Sequence, residues 1–269
     1  MKTIYFGLLT VLLAASACST AGAALTVDRS RLIMNESDKS VSINVTNRNE
    51  REPYLAQGWM EDEKEQKLSG PLMVLPPVQR VEAGAKTLMR IQPLPEISSL
   101  PKDRESVFYF NLREIPPKST KPNVLVLAMQ TRLKVFWRPD SLKVDANADT
   151  VPGTQTLSLT RQDNQYIINN PTPYHFSFVE IRKSLTGQGL DNFEAVMVAP
   201  KSTAAIKTPV SEVGNAPVLM FVNDYGSQRL LSFTCAGMLC KAGKIISPPE
   251  NSQTRVIDEP QSLNEIKDK

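Results

Sequence analysis

In this chain the apolar residues come in short runs that alternate with polar ones and are cut at close intervals by proline. A helix buries one side every third or fourth residue, whereas a strand buries every second one, so this pattern belongs to sheets. Residues 39–46 set the example: Val41, Ile43 and Val45 alternate with Ser42 and Asn44, which puts three aliphatic side chains on one face. Polar residues 47–52 and Pro53 turn the chain, and residues 54–60 read as the next strand. Further strands are predicted at residues 72–75, ended by Pro76 and Pro77, at 87–91 after the turn around Gly84, and at 107–112 before Pro116 and Pro117. The same vocabulary resumes after Pro139, where residues 156–159, 166–169, 176–181, 195–198, 204–207, 218–222 and 230–235 predict a second set of strands. Twenty prolines against twelve glycines, with 41% hydrophobic residues, fit a β-rich globular chain and exclude a coiled coil or a disordered one. The expected fold class is all-β, built as sandwiches of short strands.

The residue inventory removes several chemistries. A formal charge of +3, from 31 basic and 28 acidic residues, gives no nucleic-acid footprint. His175 is the single histidine, so a Ser-His-Asp centre or a zinc site would rest on one imidazole. There is no Gly-rich phosphate loop and no spaced set of acids for calcium, and no catalytic residue, metal or cofactor is assigned. Following a Pro-rich corner beside Phe176 and Phe178, His175 reads as partly buried packing. The sequons at Asn35 and Asn44 are chance matches if the cell is bacterial.

Lys2, the apolar residues 4–13 and the small residues ending at Ala23 read as a secretory signal peptide over residues 1–23, cleaved near Ala23. Its apolar core is shorter than the roughly 20 residues a membrane span takes, and no later segment is long enough, so no integral membrane segment is expected. Cys18 lies within this leader and leaves open a lipid-attachment reading, although Ala15 stands where such sites carry Leu. Cys235 and Cys240 lie close together in an exported chain and read as a disulfide. So small a ring would contribute only about 2 kcal/mol, by pinning a strand end or hairpin.

One segment stands apart. Residues 123–136 run fourteen positions without Pro or Gly, longer than the usual strand of about 3–10 residues, and read as one continuous strand of roughly 46 Å. Its first half, from Val124 to Met129, is apolar on both faces, which means burial on both sides or an exposed adhesive face. Leu125, Leu127 and Met129 share one face by their spacing. Taken alone, they read as core residues of the first sandwich.

The run from Phe108 to Pro117, Phe-Tyr-Phe-Asn-Leu-Arg-Glu-Ile-Pro-Pro, is followed by that from Gln130 to Pro139, Gln-Thr-Arg-Leu-Lys-Val-Phe-Trp-Arg-Pro. Together they resemble the signature of the periplasmic pilus assembly chaperones of the PapD type. Asp28 to Arg31, Pro76 to Arg80, Asn169 to Tyr174 and Asn223 to Gly226 extend the likeness to nearly all of residues 25–240. The resemblance implies two immunoglobulin-like β-sandwiches set at an angle around a cleft. Residues 24–139 would form the N-terminal domain and residues 140–245 the C-terminal one; residues 246–269, polar and without an apolar period, read as a loose tail that departs from the family by its length. It also implies partners: pilus subunits, including the adhesin, and an outer-membrane usher that receives them. Whether the free protein masks its strand by self-association is left open.

Carried onto this sequence, Leu125, Leu127 and Met129 match the donor strand that fills the groove of an incomplete subunit. Such strand addition is a known recognition mode. Three inserted side chains at about 1.5–3 kcal/mol each would supply on the order of 5–9 kcal/mol before costs. Arg31 and Lys134 match the cations that anchor the subunit's C-terminal carboxylate, a fork and a point charge that together fix where the added strand ends. Glu105, Arg138 and Asp224 match an interdomain charge network. The short connection from Arg113 to Asn123, and a first domain without a cysteine pair, place the chain in the short-loop branch of the family. Two other readings are a pilus subunit, which would be incorporated into fibres, and an exported enzyme dependent on His175.

Overall fold

The computed structural model describes residues 23–119 and 125–249. The expected leader to residue 22, Cys18 within it, Asn123 and Val124, and the tail from residue 250 lie outside the described residues.

The first domain contains β1 (Leu25–Val27), β2 (Arg31–Asn35), β3 (Val41–Asn47), β4 (Tyr54–Glu61), β5 (Leu72–Leu75), β6 (Val78–Val81), β7 (Lys86–Pro93), β8 (Ser106–Ile115) and β9 (Gln130–Arg138). They form a four-stranded sheet, β1-β3-β7-β5, and a five-stranded sheet, β2-β9-β8-β4-β6. Alternation explains their packing. Ile43 and Val45 from one sheet meet Phe108, Phe110, Leu112, Leu133, Val135 and Trp137 from the other in a single buried core. Gly58 of β4 faces this core at a place where even a Cβ would lie 2.6 Å from the end of Met89, so glycine there permits the sheets to close.

The second domain contains β10 (Ser158–Gln162), β11 (Gln165–Asn170), β12 (Phe176–Arg182), β13 (Val196–Val198), β14 (Ser202–Ile206), β15 (Val218–Val222), β16 (Gln228–Ala236) and β17 (Leu239–Ile246). Its only described α-helix is the single turn α1 (Val210–Val213). The strands hydrogen-bond in the order β13-β12-β15-β16-β17-β10-β11-β14. The outermost strands, β13 and β14, are separated by residues 199–201 alone, so the sheet curls until its ends meet and encloses a core that includes Tyr166, Phe178, Phe221 and Phe233. Cys235 and Cys240 are joined by a disulfide and face each other in the β16–β17 hairpin, as their spacing predicts.

Three differences from the sequence reading have physical causes. Residues 123–136 do not form one strand: β9 begins at Gln130, and Leu125 to Met129 take no part in a regular ladder. Leu125 and Leu127 are 82% and 64% exposed, which excludes them from the first core. An apolar run with no sheet partner among the described residues closes no ladder there, whatever its pattern. Second, β1, β2 and β6 were not singled out as strands in the sequence: β1 and β6 hold two aliphatic residues each beside polar ones, and β2 follows directly on the polar run Asp28 to Ser30, so no closing proline or clear alternation marks them. Third, β17 also lacked an assignment, and it extends through Ile246, where the sequence expects the tail to begin.

Candidate functional site: an open strand edge headed by two cations

Parallel pairing of β2 with β9 brings the two predicted cations together. Arg31 at the start of β2 lies directly opposite Lys134 of β9, and the pairing continues to Asn35 opposite Arg138. Before Lys134, β9 pairs only with β8: among the described residues no strand lies against Gln130 to Leu133 on the other side. An unpaired edge therefore runs from the exposed Leu125–Leu127 segment up to the Arg31 and Lys134 pair, in line with β2. Met129 lies at its junction, where its carbonyl accepts from the Glu114 backbone N–H at 3.0 Å.

Neither cation has a carboxylate within ion-pairing distance among the described residues. Arg31 Nη1 donates to the Val222 carbonyl at 2.7 Å, while its Nε is buried and makes no hydrogen bond. Lys134 Nζ donates to Ser177 Oγ at 3.1 Å. Burial first, then the charges of Arg31 and Arg132, hold the Lys134 ammonium down to about 8. Burial also lowers Arg31 to about 10, against the opposing pull of Asp224 and Glu105. Two adjacent cations that are short of solvent and counterion form a binding place for an anion.

The outward side chains of β9 meet the second domain one after another. Lys134 reaches Ser177, the Phe136 ring lies 5.3 Å from that of His175, and Arg138 Nη1 donates to Asp224 Oδ2 at 2.8 Å. Arg138 Nε also donates to Glu105 Oε1 at 2.8 Å, and Arg138 and Glu105 are both buried. The predicted Glu105, Arg138 and Asp224 are thus in contact. The sequence reading gave His175 no place in this network. Glu105 Oε2 accepts from the His175 backbone N–H at 2.7 Å and lies 3.2 Å from its Nδ1. Ser177 was also missed, and a lone serine in a strand carries no signal that could have found it.

Asp224 sits in a turn closed by Asn223 N–H on the Ser227 carbonyl at 2.9 Å. Gly226 in that turn has φ +82°, and a Cβ there would lie 2.6 Å from Ser30 Oγ of the first domain. Both conformation and closeness require glycine.

An all-β molecule of two sandwich-like domains, with an unfilled strand edge and a cationic head between them, is the class that fold and site define. Residues 24–143 match the family described as pili and flagellar-assembly chaperone, PapD N-terminal domain, and residues 152–233 match pili assembly chaperone PapD, C-terminal domain. The chain belongs to this family of pilus assembly chaperones, whose members are not enzymes. It is 45% identical to the probable fimbrial chaperone YfcS of Escherichia coli K12, over 87% of this chain and 92% of that protein. It is 43% identical to the chaperone protein PapD of Escherichia coli, over 84% and 92%. The Salmonella enterica SafB chaperone, solved in complex with SafA pilin, matches its fold with a TM-score of 0.67 at 20% identity, covering 81% of this chain and 99% of that one. No described helix is long and apolar enough to cross a membrane.

Proposed function

We propose that this chain works in the periplasm, where it captures newly exported pilus subunits by lending them a strand, then releases them to an outer-membrane usher for fibre assembly. Residues 1–23 serve as the cleaved export signal, residues 24–139 carry the capturing strand, and residues 140–245 complete the cleft, with a polar tail beyond. The carrying observation is the head-to-edge arrangement of Arg31 and Lys134, two cations without a carboxylate partner among the described residues, at the end of an unpaired strand edge.

Direction follows from charge. A foreign strand laid parallel to β9 along this edge runs the way β2 runs, so its carboxyl end arrives at Arg31 and Lys134. An antiparallel strand would bring an amino terminus, and a positive charge, to the same place. The terminal carboxylate meets an arginine fork and an ammonium, and anchoring that end sets the register of every preceding residue. Leu125, Leu127 and Met129 then enter the apolar groove that a subunit lacking a strand leaves open. Strand addition makes Leu125 to Met129 a continuation of β9 in the complex.

Co-purification from periplasm tests this reading. Arg31→Ala and Lys134→Ala should each lose the subunit while the chaperone stays folded and abundant, and full capture by both variants would refute the anchor.

A further inference from the structure

The two anchoring cations belong to the first domain, yet the atoms that orient them belong to the second. Lys134 Nζ donates to Ser177 Oγ of β12, and Arg31 Nη1 donates to the Val222 carbonyl of β15. β12 can do this because its alternate residues face β9: Phe176 and Phe178 enter the second core, while His175 meets Phe136 and Ser177 meets Lys134. Ser177 is buried, so its hydroxyl is fixed by packing and serves one partner. An ammonium on a four-carbon stem has three donors and no preferred direction, and one held donor leaves two for a ligand.

We infer that Ser177 is a positioning residue for the carboxylate anchor, holding the Lys134 ammonium toward the end of the incoming strand, so that the anchor is a composite of both domains. This inference rests on the function proposed above. Lys134 is packed among Arg31 of β2, Arg132 on its own strand, Tyr109 opposite it on β8, and Ser177 of β12. Among these, Ser177 contributes an uncharged acceptor to the crowded ammonium. A hydroxyl that accepts from the ammonium favours its charged form, so removing it should also lower the pH at which Lys134 loses its proton.

The test uses a synthetic eleven-residue peptide of alternating Val and Thr, prepared with a free terminal carboxylate and as the terminal amide. Binding of both to the full chain and its variants is measured by calorimetry between pH 6 and 10. Wild type should prefer the acid form by at least tenfold. Ser177→Ala should reduce that preference about fivefold without changing affinity for the amide, and should move the pH at which the preference fades to a lower value. Ser177→Thr, which keeps the hydroxyl, should restore both. A Ser177→Ala protein with undiminished preference and an unmoved pH midpoint overturns the positioning role while leaving the anchor intact. A wild type that binds acid and amide equally overturns the anchor itself, and a Lys134→Met control that retains the preference does the same. Circular dichroism on each variant reports that the fold is retained, and Ser177→Thr supplies the second reading should Ser177→Ala lose it.

Discussion

Lys134 carries a conflict that a ligand resolves. Its ammonium titrates near 8 because burial and the neighbouring arginines disfavour the charge, and a carboxylate arriving beside it reverses that preference. Below about 8 the free protein already holds the proton, so affinity for a peptide acid should be nearly flat from pH 6 to 8. Above about 8 binding must take up a proton, and affinity should fall toward tenfold per pH unit, with proton uptake visible in calorimetry. Stability of the unliganded chaperone moves the other way. The unfolded chain, with its lysine near the ordinary 10.5, binds more protons between about 8 and 10.5, so the Lys134 contribution to stability rises with pH over that window. Urea titrations of wild type and Lys134→Met check this: the difference between them should change with that sign and vanish as a pH effect below about 7. At this scale the sequence was informative where a motif spoke and silent elsewhere. The resemblance singled out Arg31, Lys134, Glu105, Arg138 and Asp224, and the fold sets Arg31 opposite Lys134 and Arg138 against Glu105 and Asp224. Ser177 and the Val222 carbonyl were not legible, because one is an ordinary strand residue and the other is backbone.

Elements were legible where alternation or a closing proline marked them, and not by length alone. β3, β4, β7 and β8 show several alternations each, and the four-residue β5 is closed by Pro76 and Pro77, whereas β1 and β6 carry neither mark and the eight-residue β17 was missed. The segment before β9 misled for another reason. Apolar pattern reports that a segment is to be buried, and it does not say whether the covering strand belongs to the same chain. Leu127→Arg follows from this. Because Leu127 is exposed, the substitution should shift the free protein's melting temperature by less than about 2 °C, in keeping with surface changes of under roughly 0.5 kcal/mol. Subunit capture in the periplasm should be abolished, and undisturbed capture would mean that the face lies elsewhere. The β16–β17 hairpin gives a contrasting case. Cys235→Ser with Cys240→Ser opens a ring of small sequence separation, and the loss should be about 2 kcal/mol in urea unfolding, with little change in peptide binding.

Over the whole molecule, the domains are joined through buried charge as well as through the chain. Arg138 at the end of β9 lies between Glu105 of its own domain and Asp224 of the other, and His175 takes the remaining oxygen of Glu105. Such a triad need not exceed apolar packing in stability, yet removing one member leaves an unpaired buried charge. Arg138→Ala should therefore destabilise the protein by about 3–5 kcal/mol, read by denaturant, and draw apart the thermal transitions of the two domains in calorimetry. If Ser177 and Val222 orient the anchor, the same variant should weaken the preference for a peptide acid over its amide, even though Arg138 touches neither cation's anion.

The parallel register of β2 and β9 has one more consequence, for the length of the guest. From Lys134 back to Met129, Leu127 and Leu125 the chain counts 134 − 129 = 5, 134 − 127 = 7 and 134 − 125 = 9 positions, all odd. Under the proposed anchor, a guest would be measured backward from its final residue, as if against a ruler whose zero mark is the cation pair. A tag of one residue fused to that end would turn its apolar side chains to the wrong side, and a longer fusion would leave the zero mark empty. On that proposal, molecules with a strand of suitable character but a continuing chain would be turned away, without any recognition of their sequence.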